Sequence, residues 1–153
     1  MNATRCVMLG FLLLAIGIVA NRAASPTLHA QGRAAAAAGA PAAVYKDVYN
    51  GWKWWHVYCF RCHGTNAIAT SIAPSLIDPS RRMSLPMFVS TARNGRPTQG
   101  MQSWRKLLDD KQLAQIYTYV QARTDKILPP GRPDEVGPNH GPWVPPAGWP
   151  KRK

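Results

Sequence analysis

Cysteine is scarce in this chain of 153 residues: there are three, at positions 6, 59 and 62. A framework of several disulfides is therefore excluded, and a zinc site would lack further cysteines at comparable spacing. Acidic residues are few as well, 7 Asp+Glu against 19 Lys+Arg, for a formal charge of +12. Long apolar runs are almost absent. The one that exists, Val7 to Ala20, follows Arg5 and carries no charge. It falls short of the roughly 20 residues that cross a bilayer as a helix and has the length of a signal-peptide core. Residues 1–30 are accordingly expected to be a signal peptide, with Leu28-His29-Ala30 as a tolerable cleavage site. An uncleaved membrane anchor is the alternative. The expected location is the periplasm, and the expected mature form is soluble.

Cleavage after Ala30 would remove Cys6 and leave two cysteines. From Gln31 on, 17 Lys+Arg face 7 Asp+Glu, so the mature charge is +10. Such an excess favours an acidic partner or an anionic membrane face. Nucleic acid is not expected, because the exported chain has no nucleic-acid motif.

Four zones follow from composition. Residues 31–43 (QGRAAAAAGAPAA) read as an Ala-rich linker, with a short Ala helix as the rival. Residues 44–127 read as the folded domain, small enough that an internal cofactor would add much of its buried apolar surface. Inside it, Tyr45 to Tyr58 reads as a helix rich in aromatics, with Gly51 permitting a close backbone crossing. Ser84 can cap a helix over Leu85 to Asn94, stopped by Gly95. Asp109-x-x-Gln112 has the form of a capping box, and Leu113, Ile116, Tyr117 and Val120 make one apolar stripe. Residues 128–153 hold 8 of the 14 prolines, together with Trp143 and Trp149, and read as an extended tail, either loose or laid over a surface. Truncation after Arg132 is expected to leave the fold intact.

Cys59-Phe60-Arg61-Cys62-His63 carries the chemistry. Two thiols three residues apart on a helical turn lie on one side and can add to the two vinyl groups of one haem. His63 then offers an imidazole nitrogen to the iron. This spacing is the attachment signature of c-type haem. A redox Cys-x-x-Cys pair and half of a zinc site are the competing readings, and the mature chain has no other cysteine to complete the second.

The sixth iron ligand must come from elsewhere. Met101 is expected, because it lies in the irregular segment between two helices, where a loop can lay a thioether across the far haem face. Met83, Met87 or a histidine is the alternative, and an open iron would make a haem sensor or enzyme instead. A His/Met pair raises the reduction potential and fills both axial positions, which favours electron transfer over binding of small molecules.

These residues resemble class I cytochromes c: Gly51, Trp55 and Cys59 at intervals of four, the haem motif, and Ala73-Pro74-Ser75-Leu76. The resemblance implies an all-α fold, three to four helices around one covalently bound haem. It further implies that Gly51 and Trp55 cross the last helix near Ile116 and Tyr119, and that the carbonyl region of Pro74 orients His63. Tyr49-Asn50-Gly51-Trp52, Asn94-Gly95-Arg96, Met101-x-Ser103-Trp104, Ile116-Tyr117-x-Tyr119-Val120-x-Ala122-Arg123 and Gly131-Arg132-Pro133 are similar to the periplasmic cytochromes c that accept electrons from PQQ-dependent alcohol and methanol dehydrogenases. This implies a quinoprotein dehydrogenase as donor and a terminal oxidase or second cytochrome as acceptor. Membership of a different respiratory complex is the alternative. No catalysis is expected of the polypeptide itself. Gln102 stands where these cytochromes usually carry Pro, which predicts a less rigid ligand loop, and Thr65-Asn66-Ala67 replaces their Pro-Asp-Gly. Trp104 is expected near the haem with its indole N–H on a propionate, and Arg96 is the second propionate candidate. Trp52, Trp54 and Trp55 are expected as core and haem packing. Lys106 and Lys111 are expected to be solvated, with partner docking as the sharper reading.

Overall fold

The computed structural model describes residues 27–150, with side chains from residue 41 onward. The expected signal peptide lies largely outside the described residues. Two compact units divide the chain, Met1–Ala36 and Ala37–Lys153. In the first, only the helical backbone from Thr27 is described; the second holds the core.

Helix α1 spans Thr27–Tyr58 and therefore runs through the segment expected to be a linker. The backbone there takes the form of the rival reading, an Ala helix. Five consecutive alanines have the highest helix propensity and lose no side-chain entropy. They also extend a helix already formed by Tyr45 to Tyr58, so no new nucleus is needed. Pro41 sits inside the helix without ending it.

The one-turn α2, Phe60–His63, follows directly; then come α3, Leu85–Asn94, and α4, Asp110–Thr124. Short 3-10 turns occupy Pro79–Arg81, Pro97–Gln99 and Pro138–His140. No strand occurs among the described residues, only the isolated bridge Arg96–Met101. The caps are those the sequence prescribes. Ser84 Oγ accepts from the Met87 N–H at 3.4 Å, and Gly95 ends α3 at φ +70°. Asp109 and Gln112 bond reciprocally at 2.7 and 2.9 Å, a complete capping box.

The core gathers where α1 crosses α4. Val48 and Trp55 from α1 are buried with Leu113, Ile116, Tyr119 and Val120 from α4. The crossing is close because Gly51 has no side chain: a Cβ there would lie 2.0 Å from the Gln115 carbonyl oxygen. Tyr119, not Tyr117, is the fully buried tyrosine of α4. Tyr117 turns toward α3, with its ring 5.5 Å from Phe88 and its hydroxyl donating to the Met83 carbonyl at 3.0 Å. Of the α1 tryptophans, Trp55 is wholly buried, whereas Trp52 and Trp54 are half-buried.

The proline-rich tail is laid on the domain. Leu128 and Trp143 belong to the core, and Pro133 is fully buried. The Trp143 indole donates to the Ile127 carbonyl at 2.8 Å, and its backbone N–H donates to the Pro133 carbonyl at 2.7 Å. The Trp149 indole donates to Asp125 at the end of α4, at 2.8 Å. The tail is thus laid over a surface, the second of the two expected arrangements, and its anchoring argues that its removal will cost stability. Proline density excluded helix and strand here, but it did not exclude burial of the tryptophans between the prolines.

Candidate functional site

The site is built on the turn that ends α1. The Cys62 N–H and the His63 N–H both donate to the Cys59 carbonyl, at 3.2 and 3.0 Å, which winds the motif into α2. Cys59 is half-buried and Cys62 exposed, and both thiols are unpaired. Burial, then the neighbouring Cys62, pushes the Cys59 thiol up to about 12. Thiol-disulfide enzymes need the opposite, a lowered thiol pKa that supplies thiolate, so a redox Cys-x-x-Cys pair fits poorly. Nor do the described residues contain a group of three or more His, Cys, Asp or Glu side chains placed to hold a metal ion.

The loop after the motif is fastened at several points. Gly64 adopts φ +79°, and a Cβ there would lie 2.2 Å from the Ile68 carbonyl oxygen. Its own carbonyl accepts from the Trp55 indole at 2.9 Å. The Tyr119 hydroxyl reaches the Thr65 carbonyl at 3.4 Å, and Asn66 accepts from the Gly131 N–H at 3.2 Å. Ala67 takes φ +60° and is fully buried. The Thr65-Asn66-Ala67 segment thus ends in a left-handed turn.

His63 is positioned from the far side of this loop. Its Nδ1 lies 2.9 Å from the Pro74 carbonyl oxygen and donates to it, which leaves Nε2 without a proton and free to accept. A bond of this kind fixes the tautomer and direction of a metal-binding imidazole. The His63 ring lies 6.0 Å from that of Trp55, and so rests on the helix crossing.

Met101 is held at the other end of the domain's loop system. Arg96 and Met101 exchange two backbone bonds, Arg96 N–H to Met101 at 2.7 Å and Met101 N–H to Arg96 at 3.1 Å. The segment is thus a tied loop around the Pro97–Gln99 turn, not an irregular one. A Cβ on Gly95 would lie 2.5 Å from the Gln102 carbonyl carbon, so backbone packing restrains the position where Pro was missing. Three residues on, the Trp104 N–H donates to the Ala92 carbonyl at 3.0 Å, and the Trp104 ring meets Tyr58, the neighbour of Cys59, edge-on at 5.6 Å. Met101 is half-buried and Arg96 exposed. Between the motif and α4, the apolar side chains of Ile68, Ile72, Leu85, Met87 and Leu107 are left uncovered. An unpaired thiol pair, an imidazole with one free nitrogen and a tied loop carrying a thioether are donor types that suit a covalently held haem.

A family model described as "Cytochrome C oxidase, cbb3-type, subunit III" matches residues 46–120. The match supports a c-type cytochrome. Neither a curated protein nor a solved structure matches the chain. The cytochrome domain has the all-α class I cytochrome c fold, and the family implies covalent binding of haem c. An electron-carrying haem protein is the corresponding function. Among the described residues, no helix is long and apolar enough to cross a membrane.

Sequence reasoning missed the fastening of the loop to the tail, from Asn66 to Gly131. Asn66 carries no motif signal, and its partner lies 65 positions away.

Proposed function

We propose that the chain is an exported monohaem cytochrome c, with haem attached through Cys59 and Cys62 and the iron held between His63 and Met101. The observation that carries this reading is the His63–Pro74 hydrogen bond at 2.9 Å, which frees one defined nitrogen beside two unpaired thiols. The haem supplies one-electron redox chemistry when bound. The polypeptide orients His63, shields one haem face with the Met101 loop and presents a docking surface.

The donor in this reading is a PQQ-dependent alcohol or methanol dehydrogenase, and the acceptor a terminal oxidase or second cytochrome. An open cavity of about 530 Å³ beside the Met101 loop, lined by Arg93, Gln102, Arg105 and Lys106 among others, supports docking of an acidic partner. Arg96 and Trp104 remain the propionate candidates.

The family match supports a second reading, in which the domain is the electron-carrier part of a respiratory oxidase. Stopped-flow mixing separates the two. Reduction of the haem by a quinoprotein dehydrogenase and its alcohol supports the first. Co-purification with an oxidase, and no reduction by the dehydrogenase, supports the second.

A further inference from the structure

A guanidinium is buried in this domain without a carboxylate to balance it. Arg123, in the last turn of α4, is 7% exposed. Its Nη1 donates to the Leu128 carbonyl at 2.5 Å, and its Nε has no hydrogen-bond partner. Among the described residues, the ion-paired arginines are Arg81, Arg82, Arg93 and Arg132, and Arg123 is not one of them. Burial lowers its pKa, yet arginine keeps its proton at every physiological pH. Tyr119, whose phenol burial raises to about 12, is uncharged and does not neutralise it.

A buried charge without a counter-charge is costly, and the bond to Leu128 does not require one. The neutral amide of a glutamine could donate to the same carbonyl. What the guanidinium adds is a fixed positive charge where water screens little.

That charge stands behind His63. Arg123 lies one turn beyond Tyr119 on the same face of α4. The Tyr119 ring packs 5.9 Å from that of Trp55, which packs 6.0 Å from that of His63. Tyr119 and Trp55 are both 0% exposed, so packed rings and not solvent lie between α4 and the imidazole. Charges separated by such a medium interact several times more strongly than across water.

We propose that Arg123 tunes the redox site, its unpaired charge acting from the His63 side through Tyr119 and Trp55 to raise the reduction potential. The inference rests on the haem reading above. Ferric iron carries one positive charge more than ferrous iron, so a fixed cation nearby disfavours the oxidised form. Lys106, Lys111 and other exposed cations outnumber Arg123 but stand in water, where salt screens them within about 10 Å at 0.1 M. The single buried one outweighs each of them.

The test is redox titration of the full holoprotein at low and at high salt. A pyridine haemochrome spectrum first verifies covalent haem; a chain without it rejects the haem reading before any potential is measured. Arg123→Gln keeps a donor for Leu128 and loses the charge. It should lower the potential by an amount that salt hardly changes, with the axial-ligand spectrum unaltered. Lys126→Gln, which removes an exposed cation three residues on, should leave the potential nearly unchanged. Arg123→Lys separates charge from shape. At about pH 6 its ammonium should hold the potential near the unmutated value. As pH rises the buried lysine gives up its proton, because burial lowers its pKa, and the potential should fall further than in the unmutated protein. This variant carries the test if Arg123→Gln disturbs the fold or the ligands. An unchanged potential in Arg123→Gln, a shift that high salt abolishes or that Lys126→Gln matches, or an Arg123→Lys potential with no pH dependence of its own would overturn the proposal.

Discussion

The backbone of Gly51 in α1 passes so close to Gln115 in α4 that a single added methyl carbon would lie 2.0 Å from the Gln115 carbonyl oxygen. The obstacle is helix backbone, which no side-chain rotation can move. Gly51→Ala therefore forces the two helices apart at the center of the core, beside Trp55 and Ile116. A loss of about 3 kcal/mol is expected, the upper part of the range for overpacked cores. Urea denaturation followed by circular dichroism measures it. A midpoint equal to that of the unmutated protein would show that the helices separate freely.

Much of this geometry was legible in the sequence, and the reason is local. Ser84 and Gly95 for α3, and the Asp109/Gln112 pair for α4, are capping signals that act within one helical turn, so they fix boundaries without reference to the rest of the chain. Gly51 could be read because glycine is costly in a helix interior and implies a close neighbour. The choice of Tyr119 over Tyr117 as the buried ring could not be read from periodicity, because each follows an apolar partner at helical spacing. Packing on α1 decides it. The Arg96–Met101 bonds were also hidden, since backbone pairing in a short loop leaves little trace in residue type.

The tail makes the same point more sharply. Trp143 is 5% exposed and bonded through its indole to Ile127, yet its surroundings in sequence, dense in proline, signal only an extended backbone. Trp143→Ala should cost about 3–5 kcal/mol, as for other buried large aromatics. Truncation after Arg132 removes Trp143 and Trp149 together and should lower the thermal midpoint further. Differential scanning calorimetry of the three proteins tests this; equal midpoints would mean the tail lies on the domain without stabilising it.

The iron ligands admit a direct test. Met101→Ala should open the sixth position to carbon monoxide or water and lower the reduction potential, because a soft thioether favours the ferrous state. Redox titration and carbon monoxide difference spectra read both effects. If the variant keeps its potential and its ligand spectrum, Met83, Met87 or a histidine is the ligand instead.

Attachment is tested by chemistry. Cys59→Ala and Cys62→Ala should each leave at most one thioether, and His63→Ala should lose the proximal ligand while both thiols remain. Haem that acid–acetone extracts completely from the unmutated protein would contradict covalent attachment.

The charge of the chain bears on its partner. With 17 basic against 7 acidic residues from Gln31 on, a form cleaved after Ala30 would carry +10, and two ionised propionates would lower this toward about +8. An acidic partner should therefore be drawn in at low salt. The Debye length falls from about 30 Å at 0.01 M to about 10 Å at 0.1 M, so reduction by the true donor should slow as salt rises. Arg96, Lys106 and Lys111 are exposed and flank the Met101 loop and the start of α4. Replacing Lys106 and Lys111 with Glu should slow reduction by a quinoprotein dehydrogenase while leaving the potential nearly unchanged, because charges in water act on association more than on a shielded iron; Arg96, a propionate candidate, is kept in this test. Stopped-flow reduction across a salt series, with potentials measured in parallel, separates the two effects. A rate independent of salt would remove electrostatic docking from the account, and absence of reduction at every salt concentration would remove this donor.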